Sequence, residues 1–191
     1  MTPSDERPGS TPGRTDGTDQ DPTGADVAAV VRAQHGQAVT LVEAVNGSSG
    51  TERRQALGAL LAFLARHEAA EELAIHPVTV AVEPAGADIG GQLVTAEESM
   101  TQQVERLESF DVDSFEFTVQ FQLFEEALSV HAAEEETKEL PLMHSSMTSE
   151  QAGAALRVLG AVENDAVPDE PGTFATQLEK ARDRYRALVG T

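Results

Sequence analysis

Between residues 25 and 144 the apolar positions recur at steps of three and four, the spacing of helices that bury one face. The first stripe is Ala28, Val31, His35, Ala38, Val42 and Val45, and the segment NGSSG ends it. A second runs through Leu57, Leu60, Leu64, His67, Glu71 and Ala74 until Pro77 closes the helix. After PVTVAVEPAGADIGG, read as a loop, a third stripe carries Leu93, Glu97, Met100, Val104 and Leu107. The fourth holds Phe117, Phe121, Phe124, Leu128, His131, Glu135 and Leu142, with DSFE near Asp113 as a capping box at its start and Pro141 near its end. Four helices with short connections predict an all-α, antiparallel up-down-up-down bundle.

Outside this core the pattern changes. Residues 1–24 are Pro, Gly, Ser, Thr and Asp with little to bury, and predict a disordered polar tail. Residues 145–191 predict a C-terminal extension of two shorter helices. The first opens on Thr148 and Gln151 at capping-box spacing, and VPDEPG links it to the second.

The apolar stripes carry polar residues where a core needs none. His67 and Glu71, and again His131 and Glu135, stand four apart, so each pair offers a nitrogen and an oxygen from one helix face. The surrounding text is also duplicated: HEAAEELAIHP and HAAEEETKELP share one spacing of His, two Glu and Pro. His35 lies on the first inner stripe and Glu97 on the third. Burying these groups together without a partner costs several kcal/mol, which a metal ion offsets. Imidazole and carboxylate suit iron, manganese or zinc, and facing helices of a bundle can assemble carboxylate-bridged metal pairs. A Glu from each motif would bridge the two ions and a His would terminate each.

Charge and composition narrow the remaining functions. The chain of 191 residues has 13 Lys and Arg against 33 Asp and Glu, a formal charge of -20. Nucleic acid and anionic membranes are repelled at long range. With no cysteine, thiolate metal sites, disulfides and cysteine nucleophiles are excluded. No apolar run serves as a signal peptide or a membrane span, so the expected location is cytoplasmic.

The order of one His on the first helix, HxxxE on the second, a ligand on the third and HxxxE followed by Pro on the fourth resembles the hemerythrin-like (HHE cation-binding) family, over about residues 25–144. The resemblance implies a four-helix bundle with a non-haem di-iron centre, two iron ions for which manganese or zinc could substitute. Carried over by position, its ligands are His35, His67, Glu71, His131 and Glu135. The family usually has a His on the third helix. Here Glu97 stands in that register, while Glu98 and Ser99 are turned away. More carboxylate favours the ferric state and disfavours reversible oxygen release.

The remaining polar candidates rank lower. His76 and His144 read as surface or helix-end residues, and Glu72 and Glu136 as solvated groups or partners of a ligating imidazole. Tyr185 reads as part of an amphipathic helix docked on the bundle, with a phenolate ligand as the alternative, and the phenylalanines from Phe110 to Phe124 read as core. The expected function is therefore a di-iron protein reacting with peroxide, O2 or NO, catalase-like or sensing and scavenging. The alternatives are an iron-binding or iron-sensing module acting through a partner, and a bundle without metal.

Overall fold

A computed structural model describes residues 21–165 and 172–190. Most of the tail and of the VPDEPG linker lies outside them. Four long helices form the frame: α1 (Gly24–Asn46), α2 (Gly50–Ala74), α4 (Gly86–Glu108) and α5 (Phe115–Glu134), with α3 (His76–Val80) between α2 and α4. The chain continues from α5 through a π-helical turn (Glu135–Glu139) into α6 (Leu140–Ser146), then α7 (Ser149–Asn164) and α8 (Phe174–Val189). The described residues contain no helix long and apolar enough to cross a membrane.

The stripes on α1, α2 and α4 are buried at every position the periodicity marks. α1 packs on α2 and α4 on α5, while α7 covers α1 and α2, and α8 covers α2, α7 and the edge of α4. This second layer explains why α2 buries more than its one predicted stripe. Leu60, Leu61, Ala62, Phe63, Leu64 and Ala65 are all buried in succession, as a helix surrounded on all sides requires. Arg182 on α8 closes the layer with a bidentate pair to Glu72. Tyr185 is fully buried on the same helix.

Helix starts follow the side chains able to take the first free N–H groups. Thr148 and Gln151 form the expected capping box of α7. At α5 the cap is Ser114, which accepts from the Phe117 amide at 3.0 Å, and not Asp113. Asp113 instead accepts from the amide of Gly50, at 2.9 and 3.0 Å, and so ties the start of α2 to the start of α5. Phe115 is 78% exposed, unlike Phe117, Phe121 and Phe124 in the core.

Two departures from the predicted elements shape the site. The segment read as a loop after Pro77 holds α3 and the first turns of α4. Its glycines serve close packing: a Cβ on Gly86 would lie 1.9 Å from the carbonyl oxygen of Thr79, and one on Gly90 would lie 2.5 Å from Val80. Only bare backbone lets α3 lie so near α4. The second departure is at Pro141, which does not end the helix but sits in the first turn of α6, where its missing N–H is tolerated. The π-turn before it adds residues per turn, so Leu140 and Met143 face the core while Leu142, expected there, is only half-buried.

Candidate metal centre

Glu135 lies at the middle of the cluster. It has no exposed surface, and its Oε2 is 3.1 Å from Nε2 of His35 while its Oε1 is 3.1 Å from Nε2 of His131. One carboxylate thus spans α1 and α5. On α2, Nε2 of His67 lies 3.3 Å from Oε2 of Glu71, and Oε1 of Glu71 is 4.0 Å from Nε2 of His35. His35, His67, Glu71 and Glu135 therefore present four donor atoms within 4.8 Å of one another.

A second group of donors lies beside the first. Glu68, Glu97 and His131 meet the same distance limit, as do His76, Glu97 and Glu135. Nε2 of His131 is 4.0 Å from Oε1 of Glu97. All six residues marked in the sequence converge on this one place, joined by Glu68 and His76.

His76 corrects the expectation that it is a surface or helix-end residue. It is 4% exposed, with Nε2 at 2.6 Å from Oε1 of Glu97 and Nδ1 at 2.8 Å from Oε1 of Glu139. The break at Ile75 starts a new helix axis, so the periodicity of α2 does not carry past it. His144 is exposed, as expected. Tyr185 is fully buried on α8, which packs on α2 and α7, and its hydroxyl donates to Asp165 at 3.3 Å, in keeping with the docking role.

His35 and His67 are held from behind, whereas Nδ1 of His131 is buried without a hydrogen-bond partner. Nδ1 of His35 bonds Oε1 of Glu136 at 2.8 Å, the outer partner that the sequence allowed for. Nδ1 of His67 bonds Oε1 of Gln34 at 3.0 Å, and the Gln34 amide donates to the carbonyl of Leu159 on α7 at 2.9 Å. When Nδ1 carries the proton, Nε2 is left with a free lone pair facing inward.

Electrostatics shows how poorly this cluster is satisfied without a cation. Burial, then the charge of Glu135, holds Glu71 well above the ordinary carboxylate range, and burial with Glu97 pushes Glu68 up to about 8. Burial and neighbouring His35 push His67 down to about 3, so it is neutral. Burial alone would lower His131 and His76. Glu135 outweighs it for His131, raised to about 9, and Glu139 and Glu97 outweigh it for His76. The oxygens of Glu71 and Glu135 are buried and meet only the imidazoles of the cluster, with no well-aligned hydrogen bond. Such orphaned acceptors are what a cation satisfies, so the donor set fits one.

Residues 26–143 match the family described as Hemerythrin, the hemerythrin HHE cation binding domain. No curated protein and no solved structure matches the chain significantly. The family match spans well over half of the sequence, and its cation-binding character agrees with the buried His and Glu cluster: the chain belongs to the hemerythrin HHE cation-binding domain family.

Proposed function

We propose that this chain is a non-haem di-iron protein that reacts with hydrogen peroxide, O2 or NO. The observation that carries the reading is Glu135, with one oxygen toward His35 and the other toward His131, between two groups of buried donors. Charge supports two ions. Five carboxylates, Glu68, Glu71, Glu97, Glu135 and Glu139, are buried around the cluster, more negative charge when ionised than one divalent cation balances. An iron pair held by these residues would supply two one-electron redox centres.

The protein provides the approach. A cleft of about 570 Å³ between α1 and α5 is walled by Ala38, Val39, Val42, Leu64 and Leu128 and reaches His35, His67 and His131. Glu43, Glu125 and Glu136 line it against the single cation of Arg32. A negative approach over apolar walls repels anions and admits neutral molecules such as peroxide, O2 or NO. The carboxylate-rich donor set favours reaction over reversible oxygen carriage.

Metal analysis and the visible spectrum test the centre, with two irons per chain and di-ferric absorption expected. Iron-loaded protein should consume hydrogen peroxide or change its spectrum with O2 or NO, and inertness to all three would remove the redox reading.

A second reading is an iron-sensing module acting through a partner. The contact that favours it is Gln34, which joins the Leu159 carbonyl on α7 to His67. Hydrogen exchange in α7 that changes with iron while peroxide is left untouched would favour sensing over turnover.

A further inference from the structure

We propose that His76 is a ligand of the second cation, brought in by α3 to supply the imidazole that the third long helix lacks, with Glu139 as the carboxylate that orients it. The proposal rests on the two-ion reading and assigns one of its donors.

Geometry points His76 into the centre. Its Nε2 is 2.6 Å from Oε1 of Glu97, and Nε2 of His131 approaches that same oxygen from 4.0 Å. His76, Glu97 and Glu135 form one donor group within 4.8 Å, and Glu97 also belongs to the group with Glu68 and His131. An ion there would take imidazole nitrogen from α3 and carboxylate oxygen from α4 and the π-turn.

The back of the ring repeats a pattern seen elsewhere in the centre. His35, His67 and His76 each engage an acceptor through Nδ1, respectively Glu136 at 2.8 Å, Gln34 at 3.0 Å and Glu139 at 2.8 Å, and each turns Nε2 inward. That arrangement fixes the tautomer a ligating imidazole needs. His76 and Glu139 are built in with care: Glu139 has no exposed surface, the π-turn carries it, and bare backbone at Gly86 and Gly90 seats α3 against α4. The competing role for His76 is to hold Glu97 by hydrogen bonding without touching the ion.

Proton NMR of the cobalt(II)-loaded protein separates the two roles, because each coordinated imidazole with a protonated ring nitrogen gives one strongly shifted exchangeable signal. We expect four such signals at two ions per chain, from His35, His67, His76 and His131. His76→Gln should remove one signal and weaken the second ion at least tenfold, leaving about one ion per chain at limiting metal. In His76→Gly, added imidazole should restore the second ion, and Glu139→Gln should move the His76 signal without abolishing it. Three signals from a wild-type protein holding two ions would overturn the proposal, as would a His76→Gln protein that keeps both ions and every signal. If the variants do not fold, the wild-type signal count decides. Wild-type protein that takes up no cobalt would instead defeat the underlying two-ion reading, and this assignment with it.

Discussion

Gln34 accepts a hydrogen bond from Nδ1 of His67 at 3.0 Å while donating to the backbone carbonyl of Leu159 at 2.9 Å. The two bonds make the amide directional, since the end that donates to α7 cannot also face the imidazole as an acceptor. Gln34→Leu should therefore free the ring of His67 and weaken the first ion about 10–100-fold. It should also destabilise the metal-free protein by about 1–3 kcal/mol, because a buried carbonyl and a buried N–H lose their partner. Metal titration and thermal melting read the two effects separately. Unchanged affinity would show that His67 needs no support from α7.

The protonation pattern predicts an unusual pH dependence for the metal-free protein. His35, His76 and His131 have folded pKa values above their unfolded value of 6.5, with His131 at about 9. Stabilisation from such groups is complete below 6.5 and is lost as pH rises through the folded value. Glu68, at about 8 against 4.5, and Glu71 act in the same direction, since a carboxyl kept protonated by the fold opposes folding once the unfolded chain ionises. His67 and Glu135 are shifted down, and their contributions change only at more acidic pH. The metal-free protein should thus melt at lower temperature at pH 9 than at pH 6.5. A loss of only 1 kcal/mol is about 2–4 °C for a chain of this size. Zinc-loaded protein should not share the decline, because the ion replaces those protons. Equal melting of the metal-free protein at the two pH values would refute this balance.

Much of the centre was legible in the sequence because ligand pairs four apart on an amphipathic helix keep their face as long as the helix keeps its axis. His35, His67, Glu71, Glu97, His131 and Glu135 all obey that condition, and all are buried together. His76 does not, since it follows the break at Ile75. Glu139 lies in a π-turn, whose changed count per turn leaves no periodic signal. Glu68 and Gln34 neighbour His67 and His35 by one residue, 100° around the helix, where a one-sided helix would meet solvent. Second-layer packing explains the burial of Gln34, which meets α7, whereas Glu68 turns toward Glu97 and His131. The fold followed the same rule: the long helices were readable, while the glycine-seated α3 was hidden by residues that usually mark loops.

Glu97 and Glu98 give a direct test of register on α4. Glu97 is 6% exposed and belongs to two donor groups, whereas Glu98 is exposed. Glu97→Gln keeps the shape but removes an anionic oxygen, and should weaken the second ion by at least tenfold. Glu98→Gln should leave metal affinity within twofold. Equal losses would mean that bulk negative charge, and not placement, governs binding.

The cleft between α1 and α5 can be closed without touching a donor. Gly36 is exposed on α1, lines the cleft, and a Cβ added there would meet nothing within 4 Å. Gly36→Ala should therefore stabilise the protein by about 0.5–1 kcal/mol through helix propensity alone, with metal content and reaction rate unchanged. Gly36→Phe has a ring large enough to lie over the apolar walls at Val39 and Leu128. It should keep the wild-type metal content while slowing peroxide consumption or the spectral response to O2 and NO several-fold. Stopped-flow measurement on iron-loaded protein decides the matter. If Gly36→Phe reacts as fast as Gly36→Ala at equal iron content, small ligands reach the centre by another route and the cleft has a different occupant.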